Sequence, residues 1–295
     1  MINNNKVDFF CIGAQKSGTT SLHDILSQNP QIGLPLNKET HYFSHDELYT
    51  RNLKDYFKLF PKDLEDRKVV GEIDPEYLCS QNAPKRIFND IGPDVKFIVI
   101  FRNPFDRAYS QYLMSKRRGF ETLEFKEAIL KEEERAKDTF GQLYLSYGSR
   151  SLYSTQIKRY LELYDMSNFL FLRFEDDFLD DKSNTIHRIN SFLGLHDFEY
   201  EIAVNSNKAS VPKSKMIRDF VDKPGLIRKF GKHLIPSSQL RKTIISKIDM
   251  INRKEIRYKV DNDMKREFID NYFADDIKEL QSITNLNLSR WLKET

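Results

Sequence analysis

Cysteine is scarce in this chain. Cys11 and Cys79 are the only two among 295 residues, which is too few for a disulfide framework. The six histidines and two cysteines show no metal-ligand spacing, so no metal site is expected. No run of 18 apolar residues is present, so no membrane span is expected. The opening MINNNKVDFF lacks a long apolar segment followed by a small-residue cleavage site, and a cytoplasmic location is the expectation. Internal repeats and low-complexity tracts are absent. The net charge is only +3, so bulk charge gives no reason to expect a nucleic acid partner.

What is present is a soluble globular composition, 39% hydrophobic and 31% charged. The length suits one large α/β domain, and no second-domain boundary is evident, so residues 1–295 read as a single domain. Its portion from about residue 205 reads as mostly helical and basic. Between Lys213 and Lys259 there are 14 Lys/Arg against 4 Asp/Glu. Such a stretch is either a solvated helical face or a field for a polyanionic partner.

Strands are expected at residues 7–12, 69–72, 95–101 and 168–173, with a short apolar return at 31–36. Residues 95–101, VKFIVIF, are apolar after Lys96, as a strand covered on both faces should be. Helices are expected at 19–27, within 51–60, near Pro84, from Pro104 to about 116, at 123–137, 147–164 and 185–193, then at 240–252 and 261–283. Gly194 is a C-cap candidate. Trp291 in the tail is expected to pack back onto the domain. Strands alternating with helices predict a central, mainly parallel sheet flanked by helices.

Residues 7–27, VDFFCIGAQKSGTTSLHDILS, organise the chain. A buried strand leads into a loop bounded by Gly13 and Gly18, then into a hydroxyl-rich helix start. Unpaired N–H groups at that helix start, with the charge of Lys16, suit a phosphorylated ligand. The triphosphatase loop places its lysine directly after the second glycine, and this loop does not. A second candidate follows the central strand: Arg102-Asn103-Pro104, then Arg107 and Ser110. Arg102 would emerge at the C-terminal edge of the sheet, where open α/β folds place ligands. An arginine fork and a serine hydroxyl can hold a second phosphate.

The string G-x-x-K-S-G-T-T after a strand resembles the 5′-phosphosulfate loop of sulfotransferases, a P-loop-like element. Arg-x-Pro-x-x-Arg-x-x-Ser resembles their 3′-phosphate motif. The resemblance covers most of the chain, most securely residues 7–194, and is nearest the glycan (heparan sulfate-type) and bacterial enzymes. It implies the donor 3′-phosphoadenosine 5′-phosphosulfate (PAPS) and the product adenosine 3′,5′-bisphosphate (PAP). The implied nucleotide-binding residues are Gln15, Lys16, Ser17, Gly18, Thr19, Thr20, Arg102 and Ser110. Lys208 and Lys213 lie where related enzymes close a basic loop over the nucleotide.

Sulfuryl transfer to a hydroxyl needs a base, and the leaving phosphate needs positive charge. Chemistry alone leaves Glu39, His41, His45 and Glu72 open as bases. The segment Glu39-x-His41-Tyr42-Phe43 resembles the Glu-x-x-Phe-Phe-like segment of the heparan sulfate enzymes, whose glutamate is the proposed base. This implies Glu39 as base, Lys16 on the leaving side, and His41 as a neighbour that orients substrate or packs. Residues 71–77, GEIDPEY, resemble a family segment carrying a lysine where this chain has Ile73. Glu72 and Asp74 are candidates for acceptor binding, and for Glu72 a place behind the groups that touch the acceptor is open as well. The expected reaction is sulfuryl transfer to a hydroxyl or amine of a carbohydrate-like acceptor. The alternatives are a small alcohol, lipid or phenol acceptor, or PAPS binding without catalysis.

Overall fold

The structure is a computed structural model that describes residues 6–196, 198–202, 210–212, 253–255 and 261–293. The described chain divides into two compact units. The first comprises residues up to Arg107, from Arg150 to Asn205 and from Arg266 onward, and the second comprises Ala108–Ser149 and Ser206–Lys265.

The first unit is built on five parallel strands: β1 (Phe9–Gly13), β2 (Ile32–Gly33), β3 (Val69–Ile73), β4 (Lys96–Phe101) and β5 (Phe169–Arg173). Their order is β2-β3-β1-β4-β5. The chain leaves β1 toward one edge of the sheet and leaves β4 toward the other. The gap between the C-terminal ends of β1 and β4 is therefore a topological switch point, where such sheets form a crevice.

Alternation along the strands gives the sheet two unlike faces. On one face Phe9, Cys11, Ile73, Ile98, Ile100 and Leu172 form a cluster with helices α1 (Thr19–Leu26) and α9 (Lys182–Leu193). Leu22, Ile25 and Leu26 of α1 are all buried there. Burying each such side chain contributes about 1.5–3 kcal/mol. The other face is aromatic. Phe97 packs on Phe169 at 5.0 Å, on Tyr160 at 5.2 Å and on Tyr164 at 4.7 Å between ring centroids, and Phe101 packs on Tyr153 at 5.1 Å. This fold is the parallel sheet flanked by helices that the sequence pattern implies.

Helices α2 (Leu53–Phe57) and α3 (Ala83–Ile91) also belong to the first unit. Helix α4 (Pro104–Arg118) starts at the expected proline. Asn103 caps it: its Oδ1 accepts from the N–H groups of Phe105 (3.1 Å) and Asp106 (3.3 Å). Gly194 closes α9 in the left-handed region, φ 71°, as a C-cap glycine should.

Two helices differ from their expected bounds, each for a polar reason. The expected helix at 123–137 is two pieces in the second unit, α5 (Phe125–Leu130) and α6 (Glu132–Arg135). The chain turns at Lys131 because Glu132 is buried and its carboxylate accepts from the backbone N–H groups of Tyr147, Gly148 and Ser149. Helix α7 (Thr139–Tyr144), which the sequence pattern did not indicate, is capped by Asp138. The helix expected from residue 147 begins only at Tyr153, as α8 (Tyr153–Leu161). Asp276 caps it across the first unit, accepting from the N–H groups of Tyr153 (2.8 Å) and Ser154 (3.0 Å).

A short antiparallel pair, β6 (Ser210–Pro212) and β7 (Arg253–Glu255), lies in the second unit. Helices α10 (Asn262–Phe268), α11 (Ala274–Thr284) and α12 (Ser289–Lys293) complete the described chain. The expected helix at 240–252 and most of the basic stretch fall outside the described residues. Among the described residues no helix is long and apolar enough to cross a membrane.

Candidate functional site

The loop after β1 is pinned to both neighbouring strands. Ala14 N–H donates to Ile100 O of β4 (2.8 Å), and Leu78 N–H, beyond β3, donates to Ile12 O (2.9 Å). Within the loop Lys16 has φ 73° and Gly18 φ 85°. A left-handed residue carrying a side chain costs of order 1–3 kcal/mol, and such strain gathers at ligand sites. Gly18 is needed here on two grounds. Its φ favours glycine, and a Cβ would lie 2.9 Å from the Phe174 ring and 3.0 Å from the Phe178 ring. α1 starts directly afterwards, so the N–H groups of its first turn face the loop.

Arg102 follows β4 and reaches across the switch point. Its Nη1 donates to Lys16 O at 2.9 Å, and its guanidinium lies 5.0 Å from the Phe174 ring centroid. Tyr153 donates its hydroxyl to Arg102 O (3.0 Å). The two sequence motifs are thus joined by a direct hydrogen bond. On these two segments Gln15 Oε1, Ser17 Oγ and Arg102 Nε are buried with no partner among the described residues. Buried polar atoms are ordinarily bonded, so orphans on both motifs are open to a ligand with acceptors and donors of its own. A phosphorylated nucleotide fits that requirement.

The other expected nucleotide residues are placed as follows. Thr19 is buried and Thr20 exposed at the start of α1. Ser110 is half-buried on α4, in the part of that helix belonging to the second unit. Lys208 and Lys213 lie outside the described residues. Arg107, part of the second motif, is wholly buried and donates from Nε to Ser151 Oγ at 2.6 Å.

The Glu39 segment lies over the end of β3. Glu39 and His41 both adopt left-handed backbone, φ 63° and 56°. The Glu39 side chain is 35% exposed, and its Oε1 is paired with the ammonium of Lys38. Lys38 was not singled out from the sequence. Its place directly before Glu39 was the available signal. Its charge also reaches Cys11 in the middle of β1, where burial pushes the thiol up to about 12 against the hydrogen bond to Gly13 and, more weakly, Lys38. Ile73 is 1% exposed and sits in the aliphatic cluster, so it offers no charge to the site.

Glu72 and Asp74 are completely buried beneath this segment. Glu72 Oε1 accepts from Thr40 N–H (3.0 Å), and its Oε2 accepts from the hydroxyls of Tyr56 (2.7 Å) and Tyr77 (3.0 Å). Burial, reinforced by the nearby Asp74 carboxylate, raises Glu72 to about 7. Asp74 Oδ2 accepts from His41 N–H (2.7 Å), and Asp74 Oδ1 accepts from Glu76 N–H (3.0 Å). His41 Nδ1 lies 3.0 Å from the same Oδ2, in a charge contact rather than an aligned hydrogen bond. Burial works against the charged imidazole, but the Asp74 carboxylate outweighs it, and His41 is raised above its ordinary value. His41 stacks on His45 at 4.8 Å. The buried pair of Glu76 and Arg150, 2.8 and 2.7 Å across two contacts, closes the far side.

The chain is 32% identical over 191 residues to mouse (Mus musculus) heparan sulfate glucosamine 3-O-sulfotransferase 6, covering 62% of this chain and 51% of that protein. It is 33% identical over 153 residues to the membrane-associated sulfotransferase kil1 of Dictyostelium discoideum, covering 46% of this chain and 32% of that one. The chain therefore spans about half the length, or less, of these curated relatives. Its fold is similar to the crystal structure of a sulfotransferase from Alicyclobacillus acidocaldarius, with TM-score 0.70, 27% identity and coverage of 97% and 98% of the two chains. The sulfotransferase domain model matches residues 6–259, and this chain belongs to that family.

Proposed function

We propose that this protein transfers a sulfuryl group from PAPS to a hydroxyl or amine of a carbohydrate-like acceptor. The observation that carries this reading is the Arg102–Lys16 hydrogen bond between two segments that also carry orphaned polar atoms. It joins two phosphate-binding segments at one switch point, which suits a nucleotide phosphorylated at both ends better than a single triphosphate. The residues of the first unit that would hold it are Gln15, Lys16, Ser17, Gly18, Thr19, Thr20 and Arg102, to which the sequence resemblance adds Ser110, Lys208 and Lys213. PAPS supplies the activated sulfuryl group and PAP is the product.

The chain's own groups divide the remaining work. Lys16 and the N–H groups at the start of α1 neutralise charge that builds on the leaving phosphate. Glu39, partly exposed and left-handed, accepts the proton of the acceptor hydroxyl. Lys38 pairs with that carboxylate and supplies a positive charge that Ile73 does not. The carbohydrate-like acceptor is supported by the similarity to a heparan sulfate 3-O-sulfotransferase.

The test is incubation with sulfur-labelled PAPS and an acceptor panel of glycosaminoglycan oligosaccharides, simple alcohols, lipids and phenols. Label on a glycan is the expected result. Label on a phenol or lipid alone would move the acceptor class, and PAP binding with no transfer to any acceptor would leave a binding protein. Glu39→Gln is expected to lower kcat by about 10²–10⁴-fold, the usual contribution of a positioned base, with PAP affinity intact. Near-normal turnover in that variant would remove Glu39 from the role.

A further inference from the structure

Two of the three residues 39–41 hold a left-handed backbone although they carry side chains. Such a conformation persists only where the surroundings over-determine it. What determines it lies directly below. Thr40 N–H is bound by Glu72 and His41 N–H by Asp74, so consecutive amides of the segment are each held by a buried carboxylate. Both carboxylates come from the end of β3, a strand paired on both sides. Glu72 is fixed in turn by two tyrosine hydroxyls, and the hydroxyl of Tyr77 also meets Thr40 Oγ1 at 3.1 Å. Neither carboxylate has any exposed surface for an acceptor to touch.

We propose that Glu72 and Asp74 are positioning residues that aim Glu39 by gripping the backbone amides of the next two residues, Thr40 and His41, a reading that rests on Glu39 as the base. A proton acceptor on an unsupported loop would sample many orientations. Anchoring its neighbouring amides to a sheet strand restricts it to one. Acceptor specificity then has to come from elsewhere.

The experiment measures kcat, acceptor KM and PAP affinity for Glu72→Gln and Asp74→Asn, alone and combined with Glu39→Gln. Each single variant is expected to lose kcat, up to about 100-fold, because a small misplacement of a reacting group costs that much. PAP affinity, which also reports folding of this unit, and acceptor KM are expected to stay unchanged. In the Glu39→Gln background the same substitutions are expected to have no further effect, since no aimed base remains to be misplaced. Asp74→Asn is also expected to lower the titration midpoint of His41, read by NMR.

A raised KM with normal kcat would assign the carboxylates to acceptor binding and overturn the proposal. Normal kcat in both variants, or a further loss in the Glu39→Gln background, would overturn it as well. Normal turnover in Glu39→Gln alone would remove the base assignment beneath it, which keeps the two failures distinct. Should Asp74→Asn fail to fold, Tyr77→Phe keeps both carboxylates and is expected to show the same kcat loss at constant KM. A normal kcat there would count against the proposal.

Discussion

The loop after β1 and the segment above β3 sit at the same edge of one sheet, yet their buried groups differ: the loop side carries orphaned atoms, whereas the carboxylates under the segment are saturated and the orphans there are ring nitrogens of His41 and His45. At the first, Gln15 Oε1, Ser17 Oγ and Arg102 Nε are buried without a partner. At the second, the buried oxygens of Glu72 and Asp74 are occupied by Thr40, Tyr56, Tyr77, His41 and Glu76. Each state has a cost and a use. Unpaired buried groups cost about 1–3 kcal/mol each, which an incoming ligand can recover. A saturated carboxylate gains nothing from a ligand, but it fixes the geometry of what it holds. The contrast separates groups that bind from groups that support.

The strongest way to break this contrast is to remove the cation of the unsaturated side. Arg102→Ala is expected to weaken PAP binding about tenfold to a hundredfold, because a hydrogen bond to a charged group contributes about 1.5–3 kcal/mol. Isothermal titration calorimetry checks it. Unchanged affinity would mean the orphaned atoms do not mark a phosphate site.

A smaller effect is expected from Gly18→Ala, which adds a methyl group against the Phe174 and Phe178 rings at φ 85°. Thermal or urea unfolding should show a loss of about 1–3 kcal/mol. Wild-type stability would show that the loop relaxes freely and is not preformed.

The smallest and most selective test uses pH. Glu72 is raised from near 4.5 in the unfolded chain to about 7 by burial and by Asp74. The folded protein therefore holds this proton more tightly. Its contribution to stability is fully present below the unfolded value and is lost as pH rises through about 7. Glu72→Gln removes that dependence. The stability difference between wild type and variant should change between pH 4.5 and 7 and level off above. A difference independent of pH would place Glu72 in a wetter environment than the structure gives it.

The strands and the glycine-bounded loop were legible in the sequence because their signals are local. An apolar run, a left-handed glycine and a proline at a helix start each act within a few residues. The order of the strands was not local, and neither was the Arg102–Lys16 contact, which spans 86 positions. Glu72 and Asp74 read as candidates for acceptor binding, with a supporting place open for Glu72, and nothing adjacent in the sequence marked their complete burial. Their burial depends on Tyr56 and Tyr77, whose helical and turn positions gave no sign that their hydroxyls converge. Lys38 was passed over beside the more familiar Glu39. The late start of α8 depends on Asp276, more than 120 positions away.

The indole of Trp291 donates to Glu175 Oε2 at 3.2 Å, and Glu175 Oε1 accepts from the amide of Asn103, the residue after Arg102, at 3.0 Å. The second nucleotide motif is thus braced by the last described turn of the polypeptide. Deleting α12 is therefore expected to free the Glu175 carboxylate and loosen the turn that follows Arg102.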